Sequence, residues 1–338
     1  MNNKTILKNL KYIASLTFAI GIIYFLFKNQ DPTKLIEEIQ KVDGKWVFLS
    51  IMFGGLAYVI RGLRWIVLLD ALGYQSTKIN SIAAVSIGYF TNMFIPRAGE
   101  ISRCTALNQV EKIPVDKLLG TILIERIIDF IFLFGLLFLT IILKFNAITA
   151  FYGTLQLQKT NAQNNSLLLG VVVLAIVIIC LYFLKKWLKG SKSYKIISSF
   201  VSGLKEGIES IKHIKRKSVF WFHTFSIWIM YFLMTYICFF CMTETSHLTA
   251  GDGLFLLVLG GIGMVIPTPG GVGSYHAIVM IGLSVLGIGT IHLGEEGDPT
   301  NPALIFPTIV HIAQTLVAII MGSISLLILF LSKKNAKS

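Results

Sequence analysis

Apolar residues along most of this chain fall into long runs rather than at the period of an amphipathic helix or a half-buried strand. Six runs reach or approach the roughly 20 residues that cross about 30 Å of hydrocarbon: Leu10 to Phe27, Trp46 to Leu69, Leu118 to Leu143, Leu167 to Leu184, Val219 to Met242 and Ala303 to Leu331. Two shorter runs, Ser81 to Ile95 and Gly253 to Ile266, end at a proline. They are too short to cross and too apolar to lie in water, which predicts half-helices that dip into the bilayer and return. The expected fold is an all-α integral membrane protein with six full transmembrane helices plus two re-entrant helical hairpins. Lys4, Lys8 and Lys11 precede the first run as they would in a signal peptide, but no small-residue cleavage site follows, so it reads as a retained anchor.

Composition agrees. A mean hydropathy of +0.74, with 54% hydrophobic and 14% charged residues among 338, lies outside the usage of soluble domains. Lysine and arginine are unevenly spread. Ten fall between Lys185 and Lys217 against Glu206 and Glu209, and Lys333, Lys334 and Lys337 close the chain, whereas the stretch His292 to Asn301 has acidic residues and neither cation. Positive charge collects on the cytoplasmic side, which predicts a multi-pass protein of the cell (plasma or inner) membrane with both termini cytoplasmic. Topology thereby explains the net charge of +13, and no nucleic-acid partner is expected. Apolar residues at helical spacing from Tyr194 to Ile214, interleaved with lysines, predict an amphipathic helix on the inner leaflet within a basic loop, 185–218.

The proline-ended runs share a phrase. MFIPRAG at Met93 and MVIPTPG at Met264 both read M-x-I-P-x-x-G, about half the chain apart. With three spans in each half, 1–145 and 166–332 would have opposite topologies and form inverted repeats in one membrane domain, 1–338. Irregular backbone at membrane depth is tolerated where it faces protein or a watery cavity. In the first turn, Pro96 reverses the chain, a helix is expected to restart near Gly99, and Arg97, Glu100 and Arg103 bring charge. In the second, Pro267 and Pro269 precede Gly270, Gly271 and Gly273, and a helix runs from Ser274 to Leu286. Helix-start amides and arginines suit an anion, a phosphate above all. Tight turns with packing glycines are the alternative.

Charges also lie inside the spans. Arg61 and Arg64 sit one helical turn apart, and Glu125, Arg126 and Asp129 fall within the third span with the carboxylates at i and i+4. Each costs on the order of 3 kcal/mol near the centre of a span, so such residues face partners or water. They either line a pathway or form ion pairs that clamp helices. CFFC, Cys238 to Cys241, has metal-like spacing but no second pair, and reads as inert.

RGLRW, PRAGEISR, ERIIDF and PTPGGVGS, in that order on these spans, resemble the lysylphosphatidylglycerol synthase transmembrane-domain family, also called flippase-like domains. The resemblance covers nearly the whole chain. In the multiple peptide resistance factors this membrane unit precedes a soluble aminoacyl-transfer domain and is associated with moving aminoacylated lipid between leaflets. The chain stops shortly after the last span, so a stand-alone unit without synthase activity is expected. The resemblance supports Pro96, Arg97, Gly99, Glu100, Arg103, the Glu125, Arg126 and Asp129 cluster, and the second turn. It departs at His276, where a carboxylate is expected after the glycine turn.

The function expected is translocation of a phospholipid headgroup, flippase-like or scramblase-like, through a polar cavity between the hairpins. Arg97 and Arg103 would hold the phosphate, Glu100, Glu125 and Asp129 would position the arginines or meet a cationic headgroup, and Arg61, Arg64, Arg126 and His276 complete the set. No cofactor is expected. An intramembrane lipid-modifying enzyme with Glu125 or Asp129 as base, and a subunit presenting lipid to a lipid-synthesising enzyme, are the alternatives; a homo-oligomer is also an open arrangement.

Overall fold

The computed structural model describes residues 3–28, 31–157, 214–291 and 301–335. Those residues form helices joined by short turns, with no strand among them. Helix α1 runs Asn3–Phe27, α2 Pro32–Gln40, α3 Gly44–Ala71, α4 Lys78–Phe94, α5 Gly99–Glu111, α6 Val115–Leu143 and α7 Phe145–Leu157. After the undescribed stretch come α8 Lys217–Ile237, α9 Ala250–Val265, α10 Ser274–Val285 and α11 Pro302–Asn335. Four of these, α3, α6, α8 with the short turn that follows it, and α11, are long and apolar enough to cross a membrane. They carry four of the six expected spans; the first falls within α1, and the run Leu167 to Leu184 lies outside the described residues, as do most of the basic loop and its expected amphipathic helix.

The exposed surface of the long helices is hydrocarbon-like. Phe134 and Phe138 on α6, Phe222 and Phe225 on α8 and Phe330 on α11 are all more than half exposed. Contiguous apolar surface of that kind marks lipid or partner contact.

Helices α4 and α5 form an antiparallel hairpin. Asn92 turns its side-chain oxygen back to accept from the Gly99 amide at 2.7 Å. Gly88 and Gly99 bring the two backbones together there; a methyl group on Gly99 would run into the Gly88 carbonyl and the Asn92 amide. At the open end the Glu111 carboxylate accepts from the Thr77 amide at 3.0 Å and from Asn80 at 2.8 Å. Helices α9 and α10 form the second hairpin, with Gly260 and Gly263 against Tyr275 and Gly282 against Leu256. Small residues at each crossing are the means by which apolar helices gain van der Waals contact without a hydrophobic driving force.

The two hairpins open toward opposite ends of the bundle. Asp70, at the C-terminal end of α3, pairs with Arg216 before α8, and the α11 end reaches the first hairpin through Ser332 and Asn80 at 3.1 Å. At the other end, the Asp43 amide donates to the Cys241 carbonyl at 3.1 Å. Lys144, capping α6, pairs at 2.5 Å with Asp252, which also completes a capping box with Thr249 at the start of α9. The hairpin tips therefore point toward one another, and a side chain at Gly270 would project onto the Met93 backbone.

Gly99→Val is expected to force the first hairpin apart, at about 1 to 3 kcal/mol for an overpacked crossing. A lowered apparent unfolding temperature of the detergent-purified protein would register it, whereas Gly120→Val, at an exposed position with open space around it, should not.

Candidate functional site

The i, i+4 carboxylates of α6 and the i, i+3 arginines of α3 face one another. Asp129 receives Arg61 at 2.5 Å through one oxygen and Arg64 at 2.8 and 3.2 Å through both. Glu125 is fully buried and lies 3.5 Å from the Arg64 Nε and 2.9 Å from Arg103, contributed by α5. Arg103 stacks 3.9 Å over the Trp65 ring, and Trp65 in turn donates to Thr121 at 2.7 Å. Arg61, Arg64 and Arg103 are each at most 4% exposed. These five groups form one closed clamp joining α3, α5 and α6. Arg126 points away from it and meets Glu100 at 3.4 Å.

A cavity of about 530 Å³ adjoins the clamp, bounded by both proline turns. Arg61, Arg97, Glu100, Arg126 and Asp129 supply its charge, Pro96, Pro267, Gly270 and Gly271 its two tips, and Tyr58, Tyr89, Trp228, Tyr231, Tyr275, His311 and Gln314 much of the remainder. Tyr231 links clamp to cavity. Its hydroxyl accepts from Arg61 at 3.1 Å and lies 3.0 Å from the Tyr89 hydroxyl, while Tyr89 stacks on Tyr58 with 4.2 Å between ring centres.

Some expected site residues lie behind the cavity wall. Arg64, Gly99, Arg103, Glu125, Pro269, Gly273 and His276 do not line it. Arg103 is committed to Glu125 and Trp65, so Arg97 is the arginine of the first turn that faces the cavity. Arg97 has a left-handed backbone, φ 62°, which is unfavourable for a residue with a Cβ. Several turn amides are also engaged: Gly99 by Asn92, and Gly271 and Val272 by the carbonyls of Thr268 and Pro269. Thr268 and Ser274 hydroxyls close the second turn at 2.8 Å. The glycines there serve positive φ, at Gly270, Gly271 and Gly273, and close packing, since Gly271 has no room for a methyl beside Met264. His276 is 5% exposed and sits 4.8 Å, ring centre to ring centre, from His311. The His311 Nε2 donates to the Gly270 carbonyl at 3.0 Å, steadying the second tip.

The aromatic wall and His311 were not among the sequence candidates. Tyrosine and tryptophan inside apolar spans read as interfacial anchors. His311 and Gln314 did leave a signal, two polar residues one turn apart in the last span. Among the described residues no three His, Cys, Asp or Glu side chains converge on a metal site, and Cys104, Cys238 and Cys241 are buried free thiols.

Apolar helices of membrane-crossing length, around a cavity that carries five charged side chains and is bounded by the turns of two helical hairpins, define an all-helical membrane protein. Residues 12–322 match the family described as Lysylphosphatidylglycerol synthase TM region, and the chain belongs to that family. A UPF0104 membrane protein of Methanocaldococcus jannaschii is 30% identical over 130 residues, 37% of this chain and 38% of that relative's length. Another UPF0104 membrane protein, of Methanothermobacter thermautotrophicus, is 20% identical over 313 residues, 82% of this chain and 87% of that protein. No solved structure matches.

Removing one partner of a buried ion pair leaves an uncompensated charge and costs about 3 to 5 kcal/mol. Glu125→Gln is therefore expected to destabilise the protein strongly in a detergent melting experiment, while Arg97→Gln, outside the clamp, leaves the melting temperature near that of the unaltered chain.

Proposed function

We propose that this protein translocates a phospholipid headgroup between leaflets, as a flippase-like or scramblase-like carrier and not as an enzyme. The observation that carries the reading is the cavity: it lies between the turns of two helical hairpins and is lined by the guanidinium groups of Arg61, Arg97 and Arg126. The headgroup enters beside Arg97 while the acyl tails stay in hydrocarbon. Arg61, held by Asp129 and Tyr231, presents a fixed charge deeper in. Asp129 accepts from two guanidinium groups and Glu125 is ion-paired with two, which supports a role in holding arginines rather than in taking a proton from a substrate.

In this reading α4–α5 and α9–α10 are re-entrant, the first from the cytoplasm and the second from outside, within inverted halves of a six-span protein in the cell membrane with cytoplasmic termini. Three observations support it: the shared M-x-I-P-x-x-G phrase, the short hairpins, and the opposed open ends. Rocking of one half against the other then switches access, as inverted-repeat carriers do.

Two experiments bear on this. Proteoliposomes holding the purified protein should move a tail-labelled phosphatidylglycerol between leaflets faster than protein-free liposomes, and Arg97→Ala should slow that rate about tenfold, the loss expected of one charge-assisted contact; equal rates with and without protein remove the transport reading. For topology, an impermeant maleimide added to intact cells should label Ser246→Cys and reach Gln75→Cys only after permeabilisation. Labelling of both from outside would rule out opposed hairpins.

A further inference from the structure

Resting on the lipid-translocation reading, we infer that His276 and His311 form a one-proton site beside the second turn, and that proton binding there parts the hairpin tips and couples lipid movement to a proton gradient. His276 is the third residue of α10 and is 5% exposed. His311, on α11, is 7% exposed and lines the cavity. The two ring centres lie 4.8 Å apart. Among the described residues the buried Nδ1 of His276 has no hydrogen-bond partner, and an unpaired ionisable group inside a membrane bundle is costly to keep. The pair is also tied to the moving part. His311 holds the Gly270 carbonyl at 3.0 Å, and Gly270 is the residue of the second turn that stands against Met93.

A carbonyl only accepts, so His311 carries its hydrogen on Nε2 and, as a neutral ring, keeps a lone pair on Nδ1. One added proton therefore has a ring nitrogen to take on either residue. Two would set like charges 4.8 Å apart, which limits the pair to one. No neighbour neutralises that charge. The carboxylates of the cavity wall are Glu100 on α5, held by Arg126, and Asp129 on α6, held by Arg61 and Arg64, while Arg97 in the first turn adds a further cation. Tyr275 of α10 is in ring contact with both histidines, and α1 presents Phe27 to His276. A buried charge without a partner is disfavoured, so the closed pair excludes the proton, whereas water reaching it through parted tips solvates the charge. A ligand shifts an equilibrium by its differential affinity for the two states. Acid pH thus favours the parted state, and uptake on one side of the membrane with release on the other ties the transport cycle to the gradient.

The test uses the full chain and begins in detergent, without reference to transport. Thr268, on the second turn, lines the cavity and is 4% exposed, so Thr268→Cys reacts with a neutral methanethiosulfonate when the tips part. Dividing its rate by that of Gln75→Cys, at an exposed position, cancels the common dependence on thiol ionisation. From about pH 8 to about pH 5.5, where histidine changes charge, the ratio should rise, by no more than about tenfold per pH unit, the limit for one proton. The rise should vanish in His276→Gln and in His311→Gln, whose amide can still donate to the Gly270 carbonyl. A flat ratio with both histidines intact overturns the site whatever the variants do; a rise that survives in both variants belongs to another group and overturns it equally. Tail-labelled phosphatidylglycerol is then followed in proteoliposomes under a pH gradient. Coupling predicts accumulation in one leaflet beyond that in protein-free liposomes, abolished by a protonophore and by His276→Gln. Movement indifferent to the gradient overturns the coupling and leaves the transport reading in place. No movement at all removes that reading and the coupling together, while the proton site still stands or falls on the labelling ratio.

Discussion

Charge inside a hydrocarbon-facing bundle has to be answered by charge, and that requirement organises the protein. Arg61 and Arg64 on α3, Arg103 on α5 and the two carboxylates of α6 are more than four-fifths buried as side chains. Desolvating such groups costs several kcal/mol each unless they meet with good geometry, so their pairing fixes the rotation of three helices about their own axes. The first hairpin is seated by Arg103, and its tip is thereby set at the cavity edge. The surplus guanidinium of the clamp is accommodated on the Trp65 face, where the ring quadrupole stands in for a third carboxylate.

Around that polar knot, packing is built from absence of side chains. Gly62 lies on the Ile82 backbone, Gly54 on Met234 and Val317, Gly322 on Phe90. Each lets a helix approach its neighbour closely enough for dispersion to compensate for the missing hydrophobic drive. Ion pairs recur at the two ends, Asp70 with Arg216 at one and Lys144 with Asp252 at the other, where side chains can reach the polar interface. The interior knot sets the orientation of the helices, the glycine crossings their proximity and the end pairs their depth.

Much of this was legible in the sequence. Run length alone located the four long helices, because the bilayer tolerates few alternatives to an apolar helix. The i, i+4 and i, i+3 spacings put Glu125 with Asp129 and Arg61 with Arg64 on shared faces, and ion pairing between those faces was one of two readings the sequence left open. The division of labour among arginines did not follow. Arg97 and Arg103 are six residues apart and chemically identical, and only the turn at Pro96 decides that one faces the cavity while the other faces Trp65. The wall of tyrosines, Trp228 and His311 was likewise hidden, since an aromatic in an apolar run has the same appearance whether it faces lipid, headgroups or a cavity.

The contact between the hairpin tips has a mechanical meaning. Where Gly270 approaches the Met93 backbone, the second turn meets the last turn of α4, and neither hairpin passes through the bundle at that level. Separating them breaks van der Waals contacts but no helical hydrogen bond, and the side-chain bond that steadies the second tip comes from His311 on α11. At that level the second tip is held by van der Waals contact and one His311 hydrogen bond, whereas ion pairs hold the two ends of the bundle.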